Sequence, residues 1–441
     1  MEALLLGCQS WEHLRRARPR LRGAQPPAGE PRAALIVPCK GLDHELEDNL
    51  QALFVQDYAN YRLLLVAESP HDPCCEVIRS LIARHPERRA KLVTAGLAEQ
   101  GCQKVRNLQA AIAAADASVE VFAFVDSDAR PRPSWLCDIV RRIDGKNVGV
   151  VTGYRWFVPE RFTLANAILY SINATAASLL TPKAYQPVWG GSWAMRRDVF
   201  ERIGLAAAWE GRLTDDLVAT NAVRGAGLRV EFEPRCMIPS PLDATWSSMF
   251  DFLHRQYLIG RLYAPRWWLA TLGATTLTVA GFWGGLATAI AGAVQRTPWA
   301  LVPAAACAGI CALNAARAAI RRELSRLYLP DFEHRLSDYN RFDAWAAPIA
   351  ATVNWAAVVS SVFAQRMTWR GIEYQLTTDG KARVVRCVAG RIEDHGSSRE
   401  EAGAAALAPD VAPASIPFAA RGEAAAPGSA ASPAPQSSRA A

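Results

Sequence analysis

The side chains best suited to chemistry are four carboxylates that occur in two pairs. Asp126 and Asp128 flank Ser127 directly after an apolar stretch. Their hard oxygen atoms suit Mg²⁺ or Mn²⁺, which would bridge a diphosphate. Asp215 and Asp216 adjoin each other at the start of a helical pattern, where neighbouring carboxylates favour a general base. An N-cap followed by an acidic first turn is the alternative explanation of this second pair.

Basic side chains and glycines supply further candidates. Gly190 and Gly191 allow the backbone to approach a ligand closely, or else form a tight turn. Arg255 and Arg261 shortly precede a long apolar run, and cations there could neutralise a leaving diphosphate. A basic anchor beside a membrane is the alternative for these two arginines.

Five short apolar runs alternate with helical patterns in the first half of the chain. The apolar runs are Ala33–Pro38, Arg62–Glu68, Lys91–Ala95, Val119–Val125 and Val148–Thr152. The helical patterns are Glu45–Val55, Glu76–Arg84, Lys104–Ala115 and Ser134–Arg142. This alternation predicts an α/β domain with a parallel sheet covered on both faces. Ligands of such sheets bind beyond the carboxyl ends of the strands, so Glu68, Asp72 and the Asp126–Asp128 pair should meet at one edge.

Composition excludes several classes of protein. The chain has 441 residues, of which 51% are hydrophobic and 21% charged, too apolar for disorder throughout. The net charge of +7 comes without a lysine and arginine cluster large enough for nucleic acid, so no nucleic-acid partner is expected. The ten cysteines form no C-x-x-C pair, which is typical of reduced thiols in a protein that faces the cytosol.

Three uncharged runs in the second half are typical of membrane segments. They are Trp268–Val294, Trp299–Ala316 and Ala344–Ala364. A span needs about 20 apolar residues, so the second run is marginal. The arginine-rich stretch Arg317–Arg341 predicts a cytoplasmic loop, in agreement with a cytoplasmic first half. Three full spans would place Arg366 and Arg370 outside, which the same rule disfavours, so one run could instead be re-entrant or interfacial.

These features divide the chain into five predicted parts. A basic segment at 1–31 is either disordered or the flank of a membrane segment, and residues 32–245 form the α/β domain. Residues 246–267 are aromatic and amphipathic, as in helices that lie in a membrane interface. Residues 268–376 hold the three apolar runs. The stretch 394–441 is rich in Ala, Pro and Ser and predicts a disordered tail.

The order of these motifs resembles glycosyltransferase family 2, and most closely its ceramide glucosyltransferase-like branch, family 21. The resemblance covers about 32–376 and implies a GT-A-like, Rossmann-like domain followed by transmembrane helices. It implies that the D-x-D at Asp126 and Asp128 holds the metal and that Asp216, with Asp215 before it, is the catalytic base. Lys104 and Asn107 match an element expected beside the nucleotide, and Glu68 or Asp72 would hold the base or ribose. Trp369 to Tyr374 match the closing Trp-Arg-Gly-x-x-Tyr of the family.

One family motif is not intact. The family pattern has Gln or Arg, two residues, then Arg-Trp; Arg255 can stand for its first member, but Leu258 and Ile259 fill the last two places. Arg261 or Gln256 would then have to compensate. The N-terminal membrane anchor usual in the ceramide branch is also not found before the basic segment.

The resemblance implies a multi-pass inner-membrane enzyme with a cytoplasmic catalytic domain. It would be an inverting, metal-dependent transferase that moves one sugar from a nucleotide sugar, such as UDP-glucose, to a ceramide-, hopanoid- or sterol-like lipid of the bilayer. Three alternatives stay open: a polyprenyl-phosphate or polysaccharide-forming enzyme of the same fold, a non-catalytic membrane scaffold, and a transporter. A transporter would need more spans, and a scaffold would not need all three of Asp126, Asp128 and Asp216.

Overall fold

The predicted apolar runs build the centre of the fold, a seven-stranded sheet. The computed structural model describes residues 2–23, 30–43, 45–180, 186–377 and 379–387. The strands of the sheet are β1 (Ala33–Pro38), β2 (Tyr61–Ala67), β3 (Ala90–Thr94), β4 (Val121–Val125), β5 (Val148–Pro159), β6 (Ser192–Arg196) and β7 (Arg229–Leu242). Their spatial order is β3-β2-β1-β4-β6-β5-β7. The first four strands lie within two residues of the predicted runs, whereas β5 continues to Pro159.

The sheet is mixed, so the prediction of a wholly parallel sheet is wrong in one place. Strands β1 to β4 pair in parallel, and β5 pairs in parallel with β7. Strand β6 lies antiparallel between β4 and β5, pairing Ser192 with Val125 and Ala194 with Val151. Because two antiparallel steps restore the direction, β4 and β5 still end at the same edge of the sheet.

Helices cover both faces of the sheet. In chain order they are α1 (Glu2–Arg22), α2 (Leu46–Phe54), α3 (Cys74–Arg84), α4 (Gln103–Ala114), α5 (Trp135–Val140), α6 (Leu164–Ala177), α7 (Arg197–Arg202), α8 (Leu205–Ala208) and α9 (Asp216–Gly225). Side chains alternate along a strand. Ile36 of β1 accordingly lies in one buried cluster with residues of α4 and α9, and Leu35 lies in the other with residues of α2, α3 and α5.

The basic N-terminal segment is a packed helix, so the expectation of a disordered start is wrong for Glu2–Arg22. Leu14 and Ala17 of α1 are buried in a third apolar cluster. Arg18 and Arg20 form ion pairs of 2.7 Å with Glu323 and Glu231. The arginines that suggested a membrane flank therefore attach this helix to the rest of the protein.

Five helices follow the sheet: α10 (Trp246–Tyr263), α11 (Pro265–Val294), α12 (Leu301–Tyr328), α13 (Glu333–Trp345) and α14 (Ala347–Ser360). Two stretches are long and apolar enough to cross a membrane, Pro265–Val294 with 30 residues and Pro298–Tyr328 with 31, the latter opening with one 3-10 turn. Only 17% and 6% of their most apolar windows are buried in the protein. Both exceed the roughly 20 residues that a span needs.

The third apolar run does not form a third long helix, contrary to the expectation for Ala344–Ala364. Helix α13 ends at Trp345, and α14 begins at Ala347 with Pro348 in its first turn. Proline is favoured there and disfavoured inside a helix, which explains the break. The 14 residues of α14 extend about 21 Å, short of a hydrocarbon core of about 30 Å.

The end of the region assigned to the membrane is β-structure. Strands β8 (Arg366–Trp369), β9 (Ile372–Leu376) and β10 (Ala382–Cys387) form a small antiparallel sheet. It is attached to the α/β domain by main-chain hydrogen bonds from Gly101 to Ala382 and from Ala382 to Gly211, of 2.8 and 2.9 Å. Residues 366–376 therefore lie against the α/β domain. The predicted tail, 394–441, lies outside the described residues.

Candidate active site

The ammonium of Lys104 is the centre of the candidate site. Lys104 lies in the first turn of α4, and its Nζ is 2.7 Å from Oδ1 of Asp126 and 3.2 Å from Oδ1 of Asp215. It also donates to the carbonyl of Gly190 at 3.2 Å. One cation thus joins the two pairs of carboxylates found in the sequence with the glycine turn between them.

The first pair follows β4 as predicted from the sequence. Asp126 comes directly after the strand and is half-buried, whereas Asp128 is exposed and makes no hydrogen bond or ion pair with a described residue. Among the described residues, no group of three or more His, Cys, Asp or Glu side chains is arranged to hold a metal ion. Two carboxylates alone still fit a Mg²⁺-type site that takes its remaining ligands from substrate phosphates and water.

The second pair does not act as an ordinary helix cap. Asp215 occupies the N-cap position of α9, yet its side chain makes no capping hydrogen bond and reaches Lys104 instead. Its Oδ2 is buried without a hydrogen-bond partner among the described residues. Asp216 accepts from the Gly190 amide at 3.0 Å and from the Thr214 hydroxyl at 2.6 Å. The arrangement favours the chemical interpretation of the pair.

Gly190 has no room for a side chain. A Cβ there would lie 2.8 Å from Nζ of Lys104 and 3.2 Å from both carboxylate oxygens of Asp215. The close approach predicted from the Gly190–Gly191 pair is therefore a contact with the protein's own charged groups. Its amide orients Asp216 and its carbonyl orients Lys104.

Burial and neighbouring charge shift the acid–base properties of the cluster. Burial raises the pKa of Asp215 to about 7 against the opposing charge of Lys104, with Asp216 and Asp126 adding to the rise. Burial likewise raises the pKa of Asp126, again opposed by Lys104 and supported by Asp128. For Lys104, burial alone lowers the pKa, but Asp126, Asp215 and Asp216 outweigh it and raise the pKa above its usual value. The site therefore holds excess negative charge around one ammonium, which suits a bound cation.

The two acids after β2 have different surroundings. Glu68 pairs with Lys40, and its second carboxylate oxygen is buried without a partner among the described residues. Asp72 accepts from the amides of Gly41 and Cys74 at 2.9 and 3.0 Å, and so fixes the turn into α3. Both amides donate to Oδ1 of Asp72, so each acid keeps one oxygen for a ligand, and that of Glu68 is the buried one.

Asn107 lies beneath the site. Its side chain is buried, donates to the carbonyls of Cys39 and Val66 at 3.4 Å and accepts from Gln103 at 2.9 Å. These contacts join the ends of β1 and β2. A direct contact between Asn107 and a nucleotide stays a prediction.

The two arginines of α10 point to different neighbours. The guanidinium carbon of Arg255 lies 5.6 Å from the ring centre of Phe252 and 5.9 Å from that of Trp369. Arg261 donates through both terminal nitrogens to the carbonyls of Val362 and Ala364. Leu258, which replaces the arginine of the incomplete family motif, is fully buried in the core. Arg261 therefore supports the loop that leads into β8.

The sequence analysis assigned no role to Asp43 and Arg370. Arg370 forms an ion pair of 2.9 Å with Asp43, donates to the carbonyl of Lys40 at 2.9 Å, and stands at the tip of the β8–β9 hairpin. Asp43 also accepts from Ser127 at 2.7 Å. Burial alone would lower the pKa of Arg370, but the charges of Asp43, Asp128 and Asp126 outweigh burial and raise this pKa above its usual value. The guanidinium therefore lies within electrostatic reach of the D-x-D.

The Arg370 backbone is unusual, since its φ is +48° and that of Gly371 is +73°. Two successive left-handed residues are typical of a two-residue hairpin, but a side chain other than glycine is strained there. Strained residues cluster at functional sites. The Trp-Arg-Gly motif was the only sequence signal for this contact, because Lys40 and Arg370 lie 330 positions apart and no local pattern relates them.

Comparison with known proteins identifies the family of the chain. The chain matches the family Glycosyl transferase family 21 over residues 3–382. A stretch of 109 residues is 33% identical to ceramide glucosyltransferase 1 of Caenorhabditis elegans, covering 25% of this chain and 23% of that protein. A stretch of 59 residues is 36% identical to the ceramide glucosyltransferase of Komagataella phaffii, covering 13% and 12%. The matched stretches thus span less than a quarter of either relative.

One solved structure has a similar overall course of the chain. It is the mannosyltransferase PcManGT from Pyrobaculum calidifontis in complex with GDP-Man and Mn²⁺, with 16% identity and a TM-score of 0.43 over 81% of this chain and 96% of that one. The family match, in contrast, takes in the α/β domain, the two long apolar helices and β8–β9. On this match, the chain belongs to glycosyl transferase family 21.

Proposed function

We propose that the protein transfers one sugar from a nucleotide sugar, with UDP-glucose as the first candidate, to a hydroxyl of a membrane lipid. Ceramide-, hopanoid-, sterol- and diacylglycerol-like lipids are the acceptor class. The observation that carries the proposal is the position of Lys104, which joins the D-x-D to the Asp215–Asp216 pair at the carboxyl edge of the sheet. Ligands of α/β sheets bind at this edge.

The donor would bind between Glu68 and the D-x-D. Glu68 offers a buried carboxylate oxygen to the ribose or base. Asp126 and Asp128 would hold Mg²⁺ or Mn²⁺, which when bound neutralises the diphosphate and activates it as a leaving group. Lys104 holds Asp126 by an ion pair of 2.7 Å, and Arg370 lies within electrostatic reach of both carboxylates.

Asp216 would act as the base of a single displacement. Its carboxylate takes the proton of the acceptor hydroxyl, the hydroxyl oxygen forms a bond to C1 of the sugar, and the bond from C1 to the diphosphate oxygen breaks. A single displacement inverts the configuration at C1. Hydrogen bonds from Gly190 and Thr214 hold the carboxylate in one orientation, which supports a fixed base.

The membrane helices would deliver the acceptor. Helix α10 connects β7 to the first long apolar helix, and Trp246 and Trp267 near its two ends are 53% and 51% exposed. Exposed tryptophans of this kind favour the membrane–water interface. A lipid hydroxyl at headgroup height could then reach Asp216 without the lipid leaving its leaflet.

The attachment of β10 bears on topology. Because the chain before α11 and the chain after α14 contribute to one α/β body, the segment between them leaves and returns on the same side of the membrane. The number of crossings is then even. We infer that α11 and α12 cross the inner membrane, that α14 packs beside α11 without crossing, and that Arg366 and Arg370 are cytoplasmic, as the distribution of positive charge favours.

The test combines a donor panel with product mass. Purified protein in lipid nanodiscs is incubated with Mn²⁺, UDP- and GDP-linked sugars and each acceptor class, and the products are extracted into organic solvent. We expect a lipid heavier by one hexose or one N-acetylhexosamine, lost in the Asp128→Ala variant and on adding EDTA. A polymer that resists extraction, or unchanged transfer by Asp128→Ala in EDTA, would overturn the proposal.

A further inference from the structure

Arg155 lies close to the candidate site yet belongs to none of the motifs in the sequence. It lies in the second half of β5, beyond the residues that pair with β6, and it is half-buried. Its charge lies near enough to Asp126 to lower the pKa of that carboxyl, against the larger effect of burial. Tyr154, next to it, has its pKa raised by burial, with Arg155 opposing and Asp216 adding. Arg155 is therefore within electrostatic range of the D-x-D, and its neighbour is within range of Asp216.

Aromatic rings surround the Arg155 guanidinium. Its central carbon lies 5.1 Å from the ring centre of Trp189, 5.5 Å from that of Phe157 and 5.8 Å from that of Phe252. Such contacts hold a cation in a partly dehydrated place and leave its N–H groups available. Trp189 immediately precedes Gly190, whose amide orients Asp216. The rings thus fix the cation beside the carboxylates of the site.

Other cations of the site are committed to partners. Lys104 is shared between Asp126 and Asp215, Arg370 is paired with Asp43, and Arg261 donates to two backbone carbonyls. The Arg155 side chain makes no hydrogen bond or ion pair with any residue that the structure describes. A partly buried cation without a counter-ion is unfavourable, so this arrangement favours an anionic ligand.

Phe252 connects this arginine to α10. Arg155 and Arg255 both lie within 6 Å of the centre of its ring, at 5.8 and 5.6 Å. Two guanidinium groups therefore lie around one ring of the helix that leads to the membrane, and they form a positive patch. Guanidinium groups match the geometry of phosphate oxygens, which they bind through two parallel hydrogen bonds.

We propose that Arg155 binds the diphosphate of the sugar nucleotide and stabilises the negative charge of the departing nucleoside diphosphate, with Arg255 on the other side of Phe252. This inference rests on the proposed function. The chemistry recognised is a phosphate oxygen, and the donor is its source, because Arg155 packs on Trp189, next to the Gly190 that contacts Lys104 and Asp216. It supplies the cation that the altered Arg-Trp motif of α10 no longer provides.

The experiment compares two nucleotides that differ by one phosphate. Affinities for UDP and UMP, and for GDP and GMP, are measured with Mn²⁺ by calorimetry on the full chain in neutral phosphatidylcholine nanodiscs. For the pair that wild-type protein binds, Arg155→Gln should weaken diphosphate binding about ten- to one-hundredfold, the range for one hydrogen bond to a charged group, and leave monophosphate binding within twofold. Arg155→Lys, which keeps the charge, should fall between. Arg88→Gln is the matched control, since Arg88 lies over the Tyr61 ring at 5.4 Å, at the opposite end of β2 from Glu68.

Each of the other outcomes overturns the Arg155 subsite, the assignment of the donor or the proposed function. Unchanged diphosphate binding by Arg155→Gln with the same thermal midpoint as wild type overturns the subsite alone. Equal weakening of both nucleotides points to a structural role and also overturns it. Titration with dihexanoyl phosphatidic acid covers the other phosphate source: if the variant loses this lipid and keeps the diphosphate, the donor assignment is wrong. Wild-type protein that binds no nucleotide overturns the proposed function, and the subsite with it.

Discussion

Replacing Lys104 by methionine tests the arrangement on which the candidate site depends. The Lys104 side chain is 14% exposed, and those of its partners Asp126 and Asp215 are 24% and 3% exposed. Methionine keeps the length of the side chain and removes the charge. Asp215 is then a buried carboxylate without a cation, and breaking a buried pair in this way costs about 3–5 kcal/mol. Counting only Asp215, because Asp126 is partly hydrated, we expect a loss of about 3 kcal/mol in the free energy of unfolding.

The loss should grow with pH, and the sign follows from Asp215. Its folded pKa, about 7, lies above the unfolded value of 3.8, so stability is present at low pH and is lost as pH rises through this window. Lys104 holds this pKa down, and without it the pKa rises further. The difference between wild type and Lys104→Met should therefore widen from pH 6 to pH 8 by up to about 1.4 kcal/mol, because wild-type Asp215 stops losing stability near its folded pKa of about 7 whereas the variant continues to lose it up to pH 8.

Urea unfolding followed by tryptophan fluorescence in EDTA-containing micelles measures this loss at both pH values. Adding Asp215→Asn removes the uncompensated carboxylate and should restore about 2 kcal/mol to the Lys104→Met variant, without restoring transfer. The exposed Lys91 gives the control Lys91→Met, expected to change stability by less than about 0.5 kcal/mol. A loss below about 1 kcal/mol, a loss independent of pH, or no rescue by Asp215→Asn would refute the reasoning.

Three further predictions address the base and two buried polar contacts elsewhere in the fold. Asp216→Asn should lose sugar transfer at least a hundredfold while keeping nucleotide affinity with Mn²⁺, as measured by calorimetry; loss of binding would assign Asp216 to the nucleotide. Arg321 and Asp343 form an ion pair of 2.7 Å with side chains only 3% and 1% exposed. Asp343→Leu should cost about 3–5 kcal/mol in urea unfolding, and Arg321→Met in the same chain should recover most of it; additive losses would contradict this. Burial lowers the pKa of His13 to about 4 against its hydrogen bond to the Leu180 carbonyl. Its contribution to stability is complete above pH 6.5 and is lost as pH falls toward 4, so hydrogen exchange in α1, corrected for intrinsic rate, should speed up in that window, unlike in His13→Gln.

The sequence predicted the elements whose pattern is local. Strand β1 is buried on both faces and reads as an uninterrupted apolar run, so its bounds were found without error. Strand β6 was missed, since Ser192–Arg196 is short and its antiparallel direction depends on partners at Val125 and Val151. The prediction of a membrane-spanning helix over Ala344–Ala364 was wrong because the count of uncharged residues ignored Pro348, which lies in the first turn of a new helix.

The residues of the candidate site also divide into those with a local signal and those without one. Asp126, Asp128 and Asp216 were predicted from their motifs, whose positions after a strand or at a helix start are local properties. The contact between Lys104 and Asp215 joins residues 111 positions apart, and that between Asp43 and Arg370 joins residues 327 apart. Arg155 has no motif at all, and only the rings around it reveal its place. Long-range contacts of this kind depend on how the sheet and the helices pack.

The attachment of β10 to Gly101 and Gly211 has a consequence for how the protein is made. Arg370 and Tyr374 leave the ribosome after both long apolar helices, so a growing chain has a complete D-x-D long before it has the hairpin that contacts Asp43. The hairpin can reach that place only when the helical segment has turned back toward the side on which it began. On the proposed topology, a chain that stalls during insertion therefore carries a candidate site without its hairpin. If the proposed function holds, newly made protein first acquires a full site at the surface of the bilayer, where the proposed acceptor is found.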